Sequence, residues 1–568
     1  MSLSFWDIAI VVAYLLLLLG LGIFLKHKAD SGVRHYFLSG KGLPWWVAGT
    51  SMAASAFSAD TPLYVTDITR QGGLGANWEW WCYVIGGAFS VYFLARLWRR
   101  AGVLTDVELS ELRYDGNGAK ILRGFRALVF SIFVNCLAMA LVIKAIVTIL
   151  SDSMGVSPVI LIPVCLVVTA VYSLMSGFWG VVVTDFLQFF MALAGALLLM
   201  FFSLDYIGCF DPSKAFSQNP LTASKLNLFP VTGEGFWQQL PVMLAMIFGV
   251  QWWAFINADG GGKIIQRQLA CRDEREASRA TMWFIFTHYV LRTWPWIVVA
   301  FCSILIVPQL PEGDRAYIAV ALKVLPRGLL GFMLATFLAA FMSTIDTQLN
   351  WGSSYFVNDF YARFIKPGAD EKHLLAVSRI SGAVFLILAA FFTLTADSVT
   401  SIFRFILAMG AGVGPIYILR WFWWRINAWT EIVAMSVSMI TATVCRAYGL
   451  PLSQSVVITL VLSLTLAFIV TFLTAPVSSQ HLERFVTKTR PFGLWKNFRN
   501  QDALPDAWFP ALCGWLCLTV SVFSALFGLG WLLQGMLAVS VLAHVAALAF
   551  GIAAIKFAES APQGDAGR

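Results

Sequence analysis

The stretch SMAASAFSADTP, residues 51–62, sits in the middle of an apolar run from residue 43 to residue 67, and its reading decides the fold. The run is long enough to cross a bilayer, which takes roughly 20 apolar residues in helical form. Yet its centre holds small residues, the carboxylate Asp60 and Pro62. A charge at membrane depth costs roughly 2.5–3.5 kcal/mol on insertion scales, and a proline inside a helix removes a donor and crowds the carbonyl four residues earlier. The segment therefore predicts a helix interrupted at mid-membrane. Its freed backbone carbonyls can coordinate a cation, and its half-helix ends, Asp60 included, can hold a solute. A kinked helix packed closely through its small residues is the alternative.

The rest of the chain supplies the same setting. Of its 568 residues 59% are hydrophobic and 12% charged, about half the charged share of roughly 25% usual in a soluble domain. The apolar runs do not alternate, which excludes a membrane β-barrel and leaves an all-α polytopic membrane protein. About fifteen runs have spanning length. Numbered from zero, they cover approximately 4–25, 43–67, 76–97, 122–151, 157–175, 178–203, 236–258, 279–307, 326–350, 374–395, 398–422, 427–447, 454–475, 507–529 and 532–555. The first begins at Asp7 rather than a basic n-region and lacks a small-residue cleavage site, so it reads as a retained helix.

Lys and Arg fall in alternate loops. Lys26, Lys28 and Arg34, then Arg99, Arg100, Arg113, Lys120 and Arg123, then Lys263, Arg267, Arg272 and Arg275 all lie on one side. So do Arg363, Lys366 and Lys372, then Arg420 and Arg425, and finally Arg484, Lys488, Arg490, Lys496 and Arg499. By the positive-inside rule that side is cytoplasmic, which places the N-terminus outside and the C-terminus in the cytoplasm, as expected for a bacterial inner membrane. The net charge of +8 is thus a topology signal whose partner is the lipid bilayer, not nucleic acid. Chemistry is poorly represented. The nine cysteines and six histidines form no metal-ligand spacing or HExxH pair, and Gly260-Gly261-Gly262 lacks the following Lys-Ser/Thr of a phosphate loop, so neither an enzyme nor a bound cofactor is expected.

Span eight contains Ala340-Phe-Met-Ser343-Thr344-Ile-Asp346-Thr347. Ala340, Ser343, Thr344 and Thr347 stack on one helical face. A row of hydroxyls beside a carboxylate is a hard-oxygen surface suited to sodium, by extension from the rules for calcium and magnesium. Small residues at this spacing also let helices pack closely, but packing has no use for Asp346. Depth puts Asp185 of span five level with Ser343 to Thr347, where the two carboxylates can meet one ion or share a proton. Span six carries a second irregularity, Asn257-Ala-Asp259-Gly-Gly-Gly262. Interruptions opening two five-helix blocks fit an inverted repeat: 43–235 (spans one to five) and 236–425 (spans six to ten), with peripheral segments 1–42 and 426–568. In span two, Trp78-Glu79-Trp80-Trp81 sets a carboxylate among rings, which suits either a sugar or an interfacial aromatic belt. Arg292, central in span seven, suits an anionic solute or a structural ion pair.

These motifs together resemble the sodium:solute symporter family, which includes bacterial sodium/galactose, sodium/proline and sialic acid symporters and the animal sodium/glucose transporters. The resemblance covers most of the chain and implies the leucine-transporter fold, a five-plus-five inverted repeat with peripheral helices, and sodium as coupling ion. It implies a main sodium site from the carbonyls of Ala54, Phe57 and Ala340 with the hydroxyls of Ser343 and Thr344. A second site would comprise Asp185, Ser343, Asp346 and Thr347, Asp346 standing where the sialic acid branch has a hydroxyl residue. Glu79 falls where the galactose branch places its sugar-binding glutamate, and Arg292 near that branch's span-seven lysine. The gating tyrosine of that branch aligns with Asn257 and a span-ten glutamine with Leu407 in Phe403-Arg404-Phe405-Ile406-Leu407, leaving Trp252 or Trp253 as the aromatic platform. The implied solute is small and polar, a sugar, with a sodium-coupled amino acid or organic acid as the alternative.

Overall fold

The computed structural model describes residues 3–29, 42–103, 105–230, 240, 243–244, 246–248, 250–254, 258–259, 261–311, 313–395, 398–499 and 507–560, with the backbone alone at 18–19, 21–29, 168–183, 263 and 560. Eleven helices among these residues are long and apolar enough to cross a membrane. They overlap the expected spans two, three, five and seven to fourteen, with span eight running on to Ile365, 15 residues past its expected end at 350. Two isolated backbone bridges are the extended pairings among the described residues.

The interruption in span one lies where the proline dictates it. One half-helix runs Trp45–Ala56 and the other Asp60–Gly72, with Phe57 extended between them at φ −94°, ψ 102°. A continuous helix would drive the Pro62 ring into the Ser58 carbonyl. Asp60 instead opens the second half-helix, where a carboxylate faces the positive end of the helix dipole, and accepts the Ser58 hydroxyl. In span six a single 3₁₀ turn, Gln251–Trp253, is followed by a helix Lys263–Ala270. Gly262 immediately before that helix adopts φ +68°, a conformation that glycine reaches without strain.

Two expectations change. Spans four and five, read as 157–175 and 178–203, form one helix, Pro158–Tyr206, because no proline or cap follows Pro163 to end it. Several basic residues assigned to solvated loops are instead inside the protein: Arg113 and Arg267 are 0% exposed and Arg420 1%.

Burial separates core from periphery. In span eight (Leu329–Ile365) and span seven (Glu274–Ile306) 83% of the central window is buried, against 28% in span twelve and 17% in span fourteen. Leu473, Leu548 and Val159 project outward at 80%, 69% and 71% exposure, as side chains facing acyl chains do. Spans zero and eight pack side by side with their N-termini at one end. There Asp7 of the first helix accepts the Gly328 and Gly331 N–H groups at 2.8 and 2.7 Å, satisfying donors that the start of span eight cannot pair internally. Asp7→Ala should lower the melting temperature by the equivalent of about 1 kcal/mol, in the range of a lost helix cap, and Asp7→Asn should lose less; thermal unfolding of the purified variants checks this.

Candidate functional site

The break in span one leaves carbonyls inside the protein that find partners outside the regular helical ladder. The Ala53 and Ala54 carbonyls accept the Phe57 N–H, both at 3.0 Å. Ala53 also receives Arg292 Nη1 at 2.7 Å. The guanidinium of Arg292 lies over the Phe57 and Trp296 rings at 5.0 and 5.6 Å, and its other arm meets His288 Nδ1. Arg292 therefore caps the end of the first half-helix, where a cation is favoured.

The Phe57 carbonyl faces span eight. Thr344 Oγ1 is 3.5 Å from it, long for an O–H···O hydrogen bond. Oxygens held at 2.3–2.6 Å from a shared hard cation in octahedral directions are separated by about 3.3–3.7 Å. The spacing fits a small cation between them, and Ala340, Ser343 and Thr344 lie on this face, all at most 2% exposed. The donor set is oxygen throughout, as a hard monovalent ion requires.

Asp185 stands one step further along the same face. Its carboxylate accepts Ser343 Oγ at 2.6 Å and Ser51 Oγ at 2.5 Å. Arg267 completes the cluster: it reaches Asp185 Oδ2 at 3.1 Å, Thr347 Oγ1 at 2.8 Å and Ser51 Oγ at 3.0 Å. A guanidinium thus occupies the position between Asp185 and Thr347 where the sequence suggested a second ion. Asp346 is buried beside them at 2% exposure and interacts electrostatically with Tyr14 of span zero. Ser343 links the two clusters, since it lies on the Thr344 face and donates to Asp185.

Toward the other end of the break Glu79 is surrounded by hydrogen-bonding and aromatic groups. Arg404 of span ten grips it in a fork, Nε to Oε1 at 2.9 Å and Nη2 to Oε2 at 3.3 Å. Glu79 is 14% exposed and Arg404 41%, so Glu79 is an inward-facing, paired carboxylate and not an interfacial belt residue. The Tyr64 and Phe403 rings meet at a 43° tilt with centroids 4.4 Å apart, and the Tyr83 hydroxyl reaches the Ala254 carbonyl at 3.4 Å. The 3₁₀ turn carrying Trp253 presses against span ten at Gly414, where a Cβ would come within 2.0 Å of the Trp253 carbonyl oxygen. Only glycine allows that approach. Asn257 lies outside the described residues.

This pairing of a broken helix with an oxygen-lined neighbour lies at the centre of a polytopic membrane protein, and the comparisons give its family. The profile of the sodium:solute symporter family matches residues 36–442; the chain belongs to that family. It is 25% identical to the sodium/glucose cotransporter 4 of Danio rerio, over 85% of this chain and 81% of that protein. Identity is likewise 25% to the sodium/glucose cotransporter of Vibrio parahaemolyticus, over 77% and 84% respectively. Among solved structures, a substrate-bound, outward-open Na+-coupled sialic acid symporter superposes with a TM-score of 0.69 at 22% identity, covering 84% of this chain and 99% of that one. The fold is accordingly the leucine-transporter type.

Arg267 and Arg404 escaped the sequence reading. Arg267 was counted as a loop charge because it follows three glycines and precedes Arg272. Arg404 sits visibly between two phenylalanines in span ten, an intramembrane charge that by itself called for a partner. Glu79 is mostly buried while Arg404 is partly exposed, so removing the guanidinium strands a buried carboxylate, whereas removing the carboxylate leaves a cation that water can reach. Arg404→Gln should therefore cost more stability than Glu79→Gln; a thermal-unfolding double-mutant cycle on the two reads the coupling.

Proposed function

We propose that this symporter couples inward sodium flow to uptake of a small polar solute, a sugar in the first reading, by alternating access. The observation that carries the sodium assignment is the 3.5 Å separation of the Phe57 carbonyl and the Thr344 hydroxyl across the break. In this reading sodium binds between Ala54, Phe57, Ala340, Ser343 and Thr344, orders the break, and raises affinity for solute at Glu79, Asp60, Trp253, Asn257 and Arg292. By linkage the solute raises sodium affinity by the same factor. The chain spans a bacterial cytoplasmic membrane, N-terminus outside and C-terminus in the cytoplasm. Repeats 43–235 and 236–425 rock against each other about the site. A negative interior supplies about 2.3 kcal/mol per charge per 100 mV.

Arg267 bears on the second site. Its guanidinium already neutralises Asp185 and engages Thr347, so a second sodium at Asp185, Ser343, Asp346 and Thr347 binds only after Arg267 swings aside. The grouping of Glu79 with Tyr64 and Tyr83 supports a sugar, because carboxylates accept hydroxyl hydrogens and rings pack on apolar sugar faces. Arg404, half-exposed, favours the second reading, an amino acid or organic acid whose carboxylate it would take from Glu79.

Sodium-dependent thermal stabilisation of the purified protein across a panel of sugars, amino acids and organic acids separates these readings. In proteoliposomes Ser343→Ala should raise the sodium concentration for half-maximal uptake about tenfold, the effect of about 1.4 kcal/mol. Unchanged sodium activation in that variant, or equal uptake in choline, would remove the site. Glu79→Gln should weaken solute binding more than sodium binding, and an equal loss of both would exclude Glu79 from the solute site.

A further inference from the structure

At the basic end of the bundle, below the break in span six, three carboxylates and two arginines from five separate segments meet with almost no exposure. Arg126 and Glu431 are 0% exposed, Arg420 and Asp259 1%, and Asp106 2%. Arg126, at the start of span three, reaches Asp106 and Glu431, both at 3.3 Å. Arg420, at the end of span ten, binds Glu431 at 3.2 Å and also pairs with Asp259. Tyr114 donates to Glu431 at 2.5 Å. Burial pushes the Asp106 carboxyl up to about 6, against the opposing pull of Arg126.

Such a lattice is a poor device for stability alone. Well-packed apolar side chains would hold these five segments together at least as firmly, since desolvating charges offsets most of their attraction. Its distinguishing property is the opened state. Separating an apolar contact exposes surface that water disfavours, whereas arginines and carboxylates pulled apart at a wetted end regain hydration. A seal that must open and close repeatedly is therefore better built from paired charges. One of its anchors, Asp259, lies in the sequence five residues after Ala254, whose carbonyl receives the Tyr83 hydroxyl.

We propose that this lattice is the gate closing the solute path at the basic, cytoplasmic end, and that Arg420 is the positioning residue that fastens the broken span six to it. The proposal rests on the alternating-access reading above and adds the element that holds the inner side shut.

Hydrogen exchange of the full chain in nanodiscs tests it without sodium or solute. The variant Arg420→Gln/Glu431→Gln removes one charge of each sign and keeps side-chain amides in place. Exchange over residues 263–270 and 101–115 should become about tenfold faster, a local opening, while residues 60–72 at the opposite end keep or slow their exchange. Asp259→Asn, a near-isosteric change that survives if the double variant fails to fold, should act in the same direction with smaller size. Unchanged exchange at 263–270, or a uniform rise throughout the chain as in a merely destabilised protein, would overturn the gate. Loss of sodium dependence in transport assays would leave this readout intact, and a flat exchange profile would leave the sodium site intact.

Discussion

Backbone polar groups have nowhere to go in hydrocarbon, and the structure is organised around that constraint. A helix satisfies its own carbonyls; a helix broken at Phe57 does not, and in a bilayer no water is at hand to replace the lost partners. Arg292 takes the Ala53 carbonyl and the Thr344 hydroxyl approaches that of Phe57. The break persists because span seven and span eight bring donors to its carbonyls. Pro62 initiates the interruption, but the neighbouring helices make it tolerable.

Charge inside this protein follows one rule at several levels. Asp185 is matched by Arg267, Glu79 by Arg404, and Glu431 and Asp259 by Arg420. Except for Arg420 and Glu431, which flank one loop, each pairing joins residues far apart in the chain. Buried pairs of this kind add little net stability but are costly to break singly. They therefore favour a few defined arrangements of the helices over a continuum, which is the behaviour a two-state carrier needs. The hydroxyl face of span eight lies between the Asp185–Arg267 pair, which Ser343 contacts, and Arg292, which caps the first half-helix.

The site was legible in the sequence to the extent that its residues were anomalous where they stood. Asp60 and Pro62 in an apolar run, or Ser343, Thr344 and Asp346 in span eight, violate what lipid-facing or packing positions require, so each asks for a reason. Arg267, Arg420 and Glu431 gave no such warning. They sit near span ends, where charge is ordinary, and the positive-inside pattern absorbed the arginines as loop residues. Their burial arises because the loops and half-helices fold inward over the bundle, a fact without any local signature. Asp7 is the converse case: read as evidence against a leader peptide, it proves to cap a helix that begins 322 residues later, at Leu329.

What the sequence by itself determined was the solvent and the periodicity: apolar runs of spanning length, a proline-marked interruption, and a hydroxyl face recurring with the helical repeat. These are local properties, set by transfer free energy and backbone geometry within a few turns. Only the tertiary structure decided which charges are partners, that a guanidinium stands between Asp185 and Thr347, and that the end of span ten grips the interruption of span six. Pairing depends on distances between helices remote in sequence, and a charge buried in company looks, residue by residue, the same as one in water.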